Sequence, residues 1–377
     1  MKKALTILAA AFFVLLSFAA PVRAAQSSDQ QLIDDGLAQS GMGELFSLIP
    51  DEGRDFFADG FSQDTLDSLS PNSVFSRIFS TAKERIGEPL RLLLSLCGVL
   101  LLSALAMNFS DNLKEGNLQK TFSAAAALTV TGLLADSVIH IVTETADVIE
   151  DLSLFMLSFI PVFAGAAAAA GRPASAMVYY STVFSAVQFF SQIARGLILP
   201  LISIFLALGF TGAVTDVIKV DAISKSVRST AGWLLSLCLT VFISLLTIKG
   251  LVSASADGVT VRAAKFVLSS FVPVVGGALS EAYSSLFGCM GVIRSTIGVF
   301  GILVMASVFL PVIIRLSMYL AALNLAAILA DVLSQGRPAA VLRTCSSAVS
   351  VLMGVVICYG MMILVTVTVV LLLGTAS

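Results

Sequence analysis

The sequence predicts an all-α polytopic membrane protein with about eight to ten transmembrane helices and an internal duplication. Of its 377 residues, 57% are hydrophobic and only 12% are charged, whereas soluble domains carry about 25% charged residues. The apolar residues also fall in runs close to the roughly 20 residues that cross a bilayer. A chain this apolar cannot cover its surface with its own polar groups. This excludes an ordinary cytosolic enzyme, a nucleic-acid-binding protein and a disordered tail protein.

Residues 1–24 have the pattern of a secretory signal peptide. Lys2 and Lys3 precede the apolar stretch Ala4–Ala20, and Val22-Arg23-Ala24 offers tolerated residues ahead of a cleavage site. The alternative is an uncleaved first membrane anchor. In both cases we expect the residues that follow to lie outside the cytoplasm.

Residues 25–89 are predicted to form a short exported helical segment of acidic character. Residues 26–90 hold 12 acidic and 4 basic side chains, and this acidity disfavours binding to anionic lipid head groups. Its apolar residues alternate with acids, as in amphipathic helices. The segment is therefore either a solvated surface or a docking surface for the exported domain of a partner. The apolar positions are Leu32, Ile33, Leu37, Leu45, Phe46, Leu48 and Ile49.

Residues 90–377 are predicted to form the polytopic membrane domain. Lys114 and Lys120 lie in the stretch 109–120, whereas the stretch 143–151 carries only acids. Because positive residues favour the cytoplasmic side, we expect 109–120 to be a cytoplasmic loop and 143–151 an external one. The candidate spans are 90–108, 121–142, 152–170, 176–194, 197–214, 232–251, 266–282, 296–314, 317–333 and 346–373.

A sequence motif occurs twice in the membrane domain. Residues 158–166 read SFIPVFAGA, and residues 270–278 read SFVPVVGGA. Acidic and proline landmarks recur at nearly the same offset, so residues 120–215 and 232–327 are predicted to be two copies of one unit. Repeats with interrupted apolar segments are common in transporters and translocation pores. If the two motifs cross the membrane the copies are parallel, and if they are re-entrant the copies are inverted. The sequence leaves both open.

The interrupted segments and nearby charges provide the candidate pore or interface residues. Proline removes a backbone donor, so the freed carbonyl needs a partner in protein or water, and glycine allows close helix approach. Charges within apolar segments are costly and are functional candidates or paired residues, although Lys249 and Arg315 could instead extend to the interface. Simple kinking and packing is the alternative for the others. The candidates are Pro161, Gly165, Lys249, Pro273, Gly276, Gly277 and Glu281.

Titratable residues form a stripe at the end of the span 121–142. Asp136, His140 and Glu144 follow one another at helical spacing, and Asp147 continues the series. A buried Asp–His pair could relay protons or line a polar pore. The alternative is that the stripe marks the exit of a helix into an acidic loop.

Catalytic motifs are missing from the sequence. It contains no GxxxxGK[ST] phosphate-binding loop, one histidine, and five cysteines that are scattered singly. We therefore expect no metal site, no cofactor and no enzymatic activity.

A long stretch of the membrane domain resembles one protein family. The run from Leu245 to Ile302, with FIPVFAGAAAAAGRPASA at 159–176, is similar to the stage III sporulation protein AE family of endospore-forming bacteria. The most specific block runs from Lys265 to Ala282, and the resemblance covers nearly the whole chain.

The resemblance implies a location and a set of partners. Family members are expected in the mother-cell membrane around the forespore, within a secretion-like complex encoded by one operon. That operon supplies a cytoplasmic ATPase, small membrane proteins and ring-forming proteins with exported domains, which together make a channel to the forespore. A secondary transporter of a small solute and a non-conducting assembly scaffold are the competing hypotheses.

Overall fold

The computed structural model describes residues 42–50, 87–112, 116–212, 220–271 and 276–375. All regular elements in these ranges are helices, which confirms the all-α class. The helices are α1 (Met42–Ser47), α2 (Gly87–Asn112), α3 (Gly116–Ala169), α4 (Pro173–Ile193), a π-helical turn (Ala194–Ile198), α5 (Leu199–Gly212), α6 (Val220–Phe271), α7 (Gly276–Val332) and α8 (Gly336–Thr375).

The described residues form six helical rods that are long and apolar enough to cross a membrane, with α4, the π turn and α5 making one rod. The expectation of eight to ten separate spans is therefore wrong for this part of the chain. Within α3, the predicted spans 121–142 and 152–170 are joined, and the predicted external loop 143–151 is helical. Counting each uninterrupted apolar run as a separate span fails here, because charged residues interrupt an apolar run without interrupting the backbone hydrogen bonds of a helix.

All of the rods except α2 are much longer than one bilayer crossing. The 54 residues of α3 extend about 81 Å at about 1.5 Å per residue, against a hydrocarbon thickness of about 30 Å. Charged residues divide the rods near their middles, namely Glu144 and Glu150 on α3, Arg195 in the π turn and Arg315 on α7. These three rods therefore each consist of two apolar sections separated by a polar level.

Two prolines show how the backbone is kept continuous. The π-helical turn Ala194–Ile198 ends two residues before Pro200, so the helix widens just before the residue that has no backbone N–H to donate. Pro161 lies inside α3, so the first Ser-Phe-x-Pro-Val segment neither re-enters nor forms a span of its own. The chain reverses only after Ala169, where Gly171 has φ 80°, a conformation that glycine adopts without strain.

The core of the bundle lies between α3, α7 and α8. In the most apolar stretches of α7 and α8, 83% and 72% of the residues are buried, whereas in those of α2 and α6 only 17% and 22% are buried. The helices α2 and α6 are therefore peripheral. Phe155, Phe159 and Phe163 stack along α3 with centroid separations of 5.8 and 5.6 Å. Phe300 of α7 adds a tilted contact to Phe155 at 6.5 Å.

Part of the predicted exported segment packs on the bundle. Leu45 and Ile49 are buried in the same hydrophobic core as the long helices, and α1 contacts α3. Leu48, from the same amphipathic patch, is 44% exposed. The predicted signal peptide, residues 1–24, lies outside the described residues. The internal duplication stays a prediction, although each proposed copy contains a pair of long helices.

Candidate functional site: buried charges in the bundle

Arg315, which is itself largely buried, is the centre of a charge cluster. Its side chain on α7 is only 11% exposed, and it pairs with Glu144 of α3 through Nη1. Its Nη2 donates to Oε2 of Glu88, at the start of α2, at 2.6 Å. The Tyr319 hydroxyl donates to the same Glu88 oxygen at 3.3 Å. The cluster thus ties three helices together with one guanidinium between two carboxylates.

Only one member of the predicted titratable stripe enters this cluster. Glu144 is half-buried, and its Oε2 lies 3.8 Å from Nδ1 of His140, whose side chain is 67% exposed. Asp136 and Asp147 are exposed. At about 100° per residue, His140, Asp136 and Asp147 are displaced from Glu144 by about 40°, 80° and 60° around the helix axis, all to the same side, so only Glu144 lies at the buried face. The stripe is therefore not one continuous buried relay in the described structure.

A second ion pair lies near the same level of the bundle. Arg195, in the π turn, pairs with Glu150 of α3, and both side chains are partly exposed, at 39% and 47%. At the turn between α7 and α8, Arg343 pairs with Asp331 at 2.5 Å. The charges in these pairs are thus neutralised by charges on neighbouring helices, as membrane-embedded ionisable groups commonly are.

Asp257 of α6 caps the beginning of α4. The first helical residue of α4 is Pro173, and the N-cap residue Arg172 forms no side-chain cap hydrogen bond. The backbone N–H groups of Ala174 and Ser175 instead donate to Oδ1 and Oδ2 of Asp257, both at 2.8 Å. A carboxylate at this position satisfies donors that the helix cannot satisfy itself and complements its dipole.

This cap was not predicted from the sequence. Asp257 served only as a landmark of the repeat, in the stretch Ser253-Ala-Ser-Ala-Asp257. In the sequence, Asp257 lies between the predicted spans 232–251 and 266–282, so no pattern marks it as a paired intramembrane acid. Asp257 is 2% exposed and Ser253 is 5% exposed, and the Ser175 hydroxyl donates to the Ser253 hydroxyl at 3.5 Å. The hairpin formed by α3 and α4 is thereby joined to α6.

The predicted pore or interface residues occupy different surfaces. Pro161 and Gly165 are exposed on α3, opposite the stacked phenylalanines, and a Cβ on Gly165 would meet nothing within 4 Å. Lys249 is exposed on α6. Pro273 lies outside the described residues. The remaining three candidates lie at the beginning of α7, where the surroundings of their side chains are not described: Gly276, Gly277 and Glu281.

Comparisons with known proteins identify relatives by sequence. The family model described as Stage III sporulation protein AE matches residues 54–374. A protein of Bacillus subtilis (strain 168) named Stage III sporulation protein AE is 24% identical over 268 residues, which are 70% of this chain and 66% of the relative. The match thus spans just under two thirds of that relative's length. No solved structure matches the chain.

Proposed function

The chain belongs to the stage III sporulation protein AE family, and we propose that it is a membrane subunit of a secretion-like channel complex between the mother cell and the forespore. The observation that carries this proposal is the family match over residues 54–374. A sporulation role and a multi-pass membrane protein follow from the family and the six long apolar rods. The channel, its partners and the mother-cell location are the proposed part.

The proposed complex assigns a role to each part of the chain. The helical bundle sits in the mother-cell membrane that surrounds the forespore. A cytoplasmic ATPase supplies the energy, so the chain itself performs no catalytic step. The exported segment, residues 25–89, follows the signal peptide and faces the ring-forming proteins. Of the twelve acids in residues 26–90, all except Glu88, which pairs with Arg315, give those proteins a charged surface to recognise.

The outer surface of the bundle is the better location for a translocation path. Large aromatic side chains fill the space between α3, α7 and α8, including Phe155, Phe300 and Tyr359. Pro161 and Gly165 instead face outwards, where another subunit can approach closely. We therefore place the path between this chain and its neighbours in the complex, and not through the middle of one bundle.

Two observations favour other functions. The Arg315 cluster, halfway along α3, provides the polar site that a secondary transporter of a small solute needs. The filled aromatic core favours a non-conducting assembly scaffold. Uptake of a labelled solute by liposomes that contain this chain alone would favour the transporter. Normal sporulation with an impermeable channel complex would favour the scaffold.

The proposed function is tested in the endospore-forming host by deleting the gene and restoring it at a second locus. We expect the deletion strain to complete engulfment and then lose expression of a late forespore reporter, and the restored gene to recover it. Full reporter expression in the deletion strain would contradict the proposal. A reporter under control of an early, pre-engulfment promoter is the control, because its expression should not change.

A further inference from the structure

The outer face of α4 carries a row of polar side chains, which we call the α4 polar row. Its four members are all exposed and lie within about 60° of one another around the helix axis. Phe190, which stacks on Tyr359 in the core, lies on the opposite side of the helix, so the row points away from the bundle. The row consists of Ser181, Ser185, Gln188 and Gln192.

This arrangement is the reverse of what a helix surrounded by lipid requires. The row belongs to the candidate span Pro173–Gly212, whose mean hydropathy of 2.1 is typical of a segment inside a bilayer. Polar side chains in such segments normally face protein or a water-filled cavity. The peripheral helix α2 follows that rule, because its outward residues Leu94 and Leu102 are 65% and 69% exposed. The outer face of α4 is therefore suited to contact with protein and not with lipid.

The two glutamines have a hydrogen-bonding capacity that the chain leaves unused. A carboxamide carries two N–H donors and one acceptor oxygen, and neither Gln188 nor Gln192 has a hydrogen-bond partner among the described residues. The hydroxyl of Ser181 is different, because it donates to the carbonyl of Val178 in its own helix at 3.2 Å. An amide without a partner is costly where water is scarce, so we expect the glutamines to bind groups outside this chain.

The chemistry of the α4 polar row fits a second copy of itself. A carboxamide both donates and accepts, so two glutamines can pair directly, and the row carries no charge that would repel its counterpart. Two copies inserted in the same orientation are related by a two-fold axis along the membrane normal. Their α4 helices then run side by side in the same direction, with each glutamine beside its own counterpart. The short side chains of Ser181 and Ser185 allow the two helices to approach closely.

We propose that two copies of this chain bind each other through the α4 polar row, with Gln188 and Gln192 hydrogen bonded across the interface. The interface supplies the partners that the carboxamides lack within one chain, and it removes the row from lipid. It is separate from the Arg315 cluster. It does not depend on the proposed channel function, because self-association can be measured without the other proteins of the complex.

Oxidative crosslinking of the full-length chain in membranes tests the geometry of this interface. Ser185→Cys should form a covalent dimer, because the two-fold axis brings residue 185 of one copy next to residue 185 of the other. Thr240→Cys is the matched control, since Thr240 is an exposed hydroxyl residue in the candidate span Lys225–Ala263, and it should give no more dimer than the wild type.

Two results of the crosslinking would overturn the proposal. Equal amounts of dimer from both cysteine variants would show random collision. A Ser185→Cys chain without dimer above the wild-type level would exclude the second copy, and a covalent adduct with another protein would then identify a different partner.

The glutamines are tested by light scattering on the chain purified in neutral detergent, over a series of dilutions. Gln188→Leu combined with Gln192→Leu should raise the dissociation constant of the dimer about tenfold or more, because hydrogen bonds between the helices are lost. Thr240→Val is the control, since the Thr240 hydroxyl already donates to the carbonyl of Ser236 at 2.8 Å, and it should change the constant less than twofold. A wild type that stays monomeric at every concentration, or a dimer that the two leucines do not weaken, would overturn the proposal.

Discussion

Gly301 of α7 lies directly against the ring of Phe159 of α3. A Cβ added to Gly301 would overlap the ring atoms of Phe159, and Phe159 cannot move easily because it is fully buried and stacked between Phe155 and Phe163. The small residue thus allows two long helices to approach closely, as glycine does in helix packing within membranes. This contact determines how the centre of the bundle is closed.

Gly301→Ala should destabilise the protein by about 1–3 kcal/mol, because an extra methyl group overpacks a filled core. The expected result is a lower melting temperature in detergent. Gly291→Ala on the same helix is the matched control, since a Cβ there meets nothing within 4 Å and alanine favours the helix. If both variants melted at the same temperature, Gly301 and Phe159 would not be in contact.

Glu144→Gln should destabilise the protein by about 1–3 kcal/mol, because Arg315 loses one of its two carboxylates in a largely buried position. Arg315→Met combined with Glu144→Gln should recover part of that loss, because the largely buried guanidinium is removed and the remaining carboxylate, Glu88, is 65% exposed. Melting temperatures of both single variants and of the double variant measure the coupling. Additive effects would contradict the ion pair.

The pair Asp331–Arg343 provides the comparison for this cluster. Its side chains are 42% and 53% exposed, and exposed pairs contribute about 0–1 kcal/mol. Asp331→Asn should therefore change the melting temperature less than Glu144→Gln does. The reverse order would show that burial does not determine the strength of these pairs.

Asp257→Ala should destabilise the protein by about 1–3 kcal/mol, because two N–H groups at the beginning of α4 lose their acceptor. Asp257→Asn should lie between the alanine variant and the wild type, because one acceptor oxygen remains. The effect should be local, with faster hydrogen exchange at Ala174 and Ser175. Asp136→Ala, at an exposed position on α3, is the control and should leave exchange in α4 unchanged.

Ser334→Gly should leave stability unchanged or raise it by up to about 1 kcal/mol. Ser334, in the turn between α7 and α8, has φ 57°, which is unfavourable for any residue with a Cβ. Ser255→Gly, at an exposed position inside α6, should instead lower stability by about 0.5–1 kcal/mol. A loss of stability at Ser334 as large as at Ser255 would contradict the left-handed turn.

Composition and periodicity were sufficient for the fold class but not for the helix boundaries. Apolar run length predicted a helical membrane protein correctly, and it failed at residues 143–151 because it treated a charged stretch as a loop. Glu144 and Glu150 lie within a continuous helix, where Arg315 and Arg195, from distant parts of the sequence, neutralise them. Local sequence does not contain that information.

The sequence predicts only part of the candidate site, because the partners of its charged residues lie far away in the chain. Glu144 was selected by its spacing from His140, and its actual partner Arg315 lies 171 residues away. Asp257 is not predicted as a site residue, because it caps a helix from a different part of the chain. Its partner Ser175 lies 82 residues before it in the sequence. Predicting either contact requires knowledge of which helices are neighbours.

Affinity purification of the tagged chain from sporulating cells after engulfment tests the proposed channel subunit most directly. We expect the cytoplasmic ATPase and the ring-forming proteins of the same operon to be recovered with it. A Lys249→Gln variant should recover them in equal amounts, because Lys249 lies exposed on α6 outside the ion pairs described. Recovery of the intact, folded chain without the ATPase and without any ring-forming protein would contradict the account.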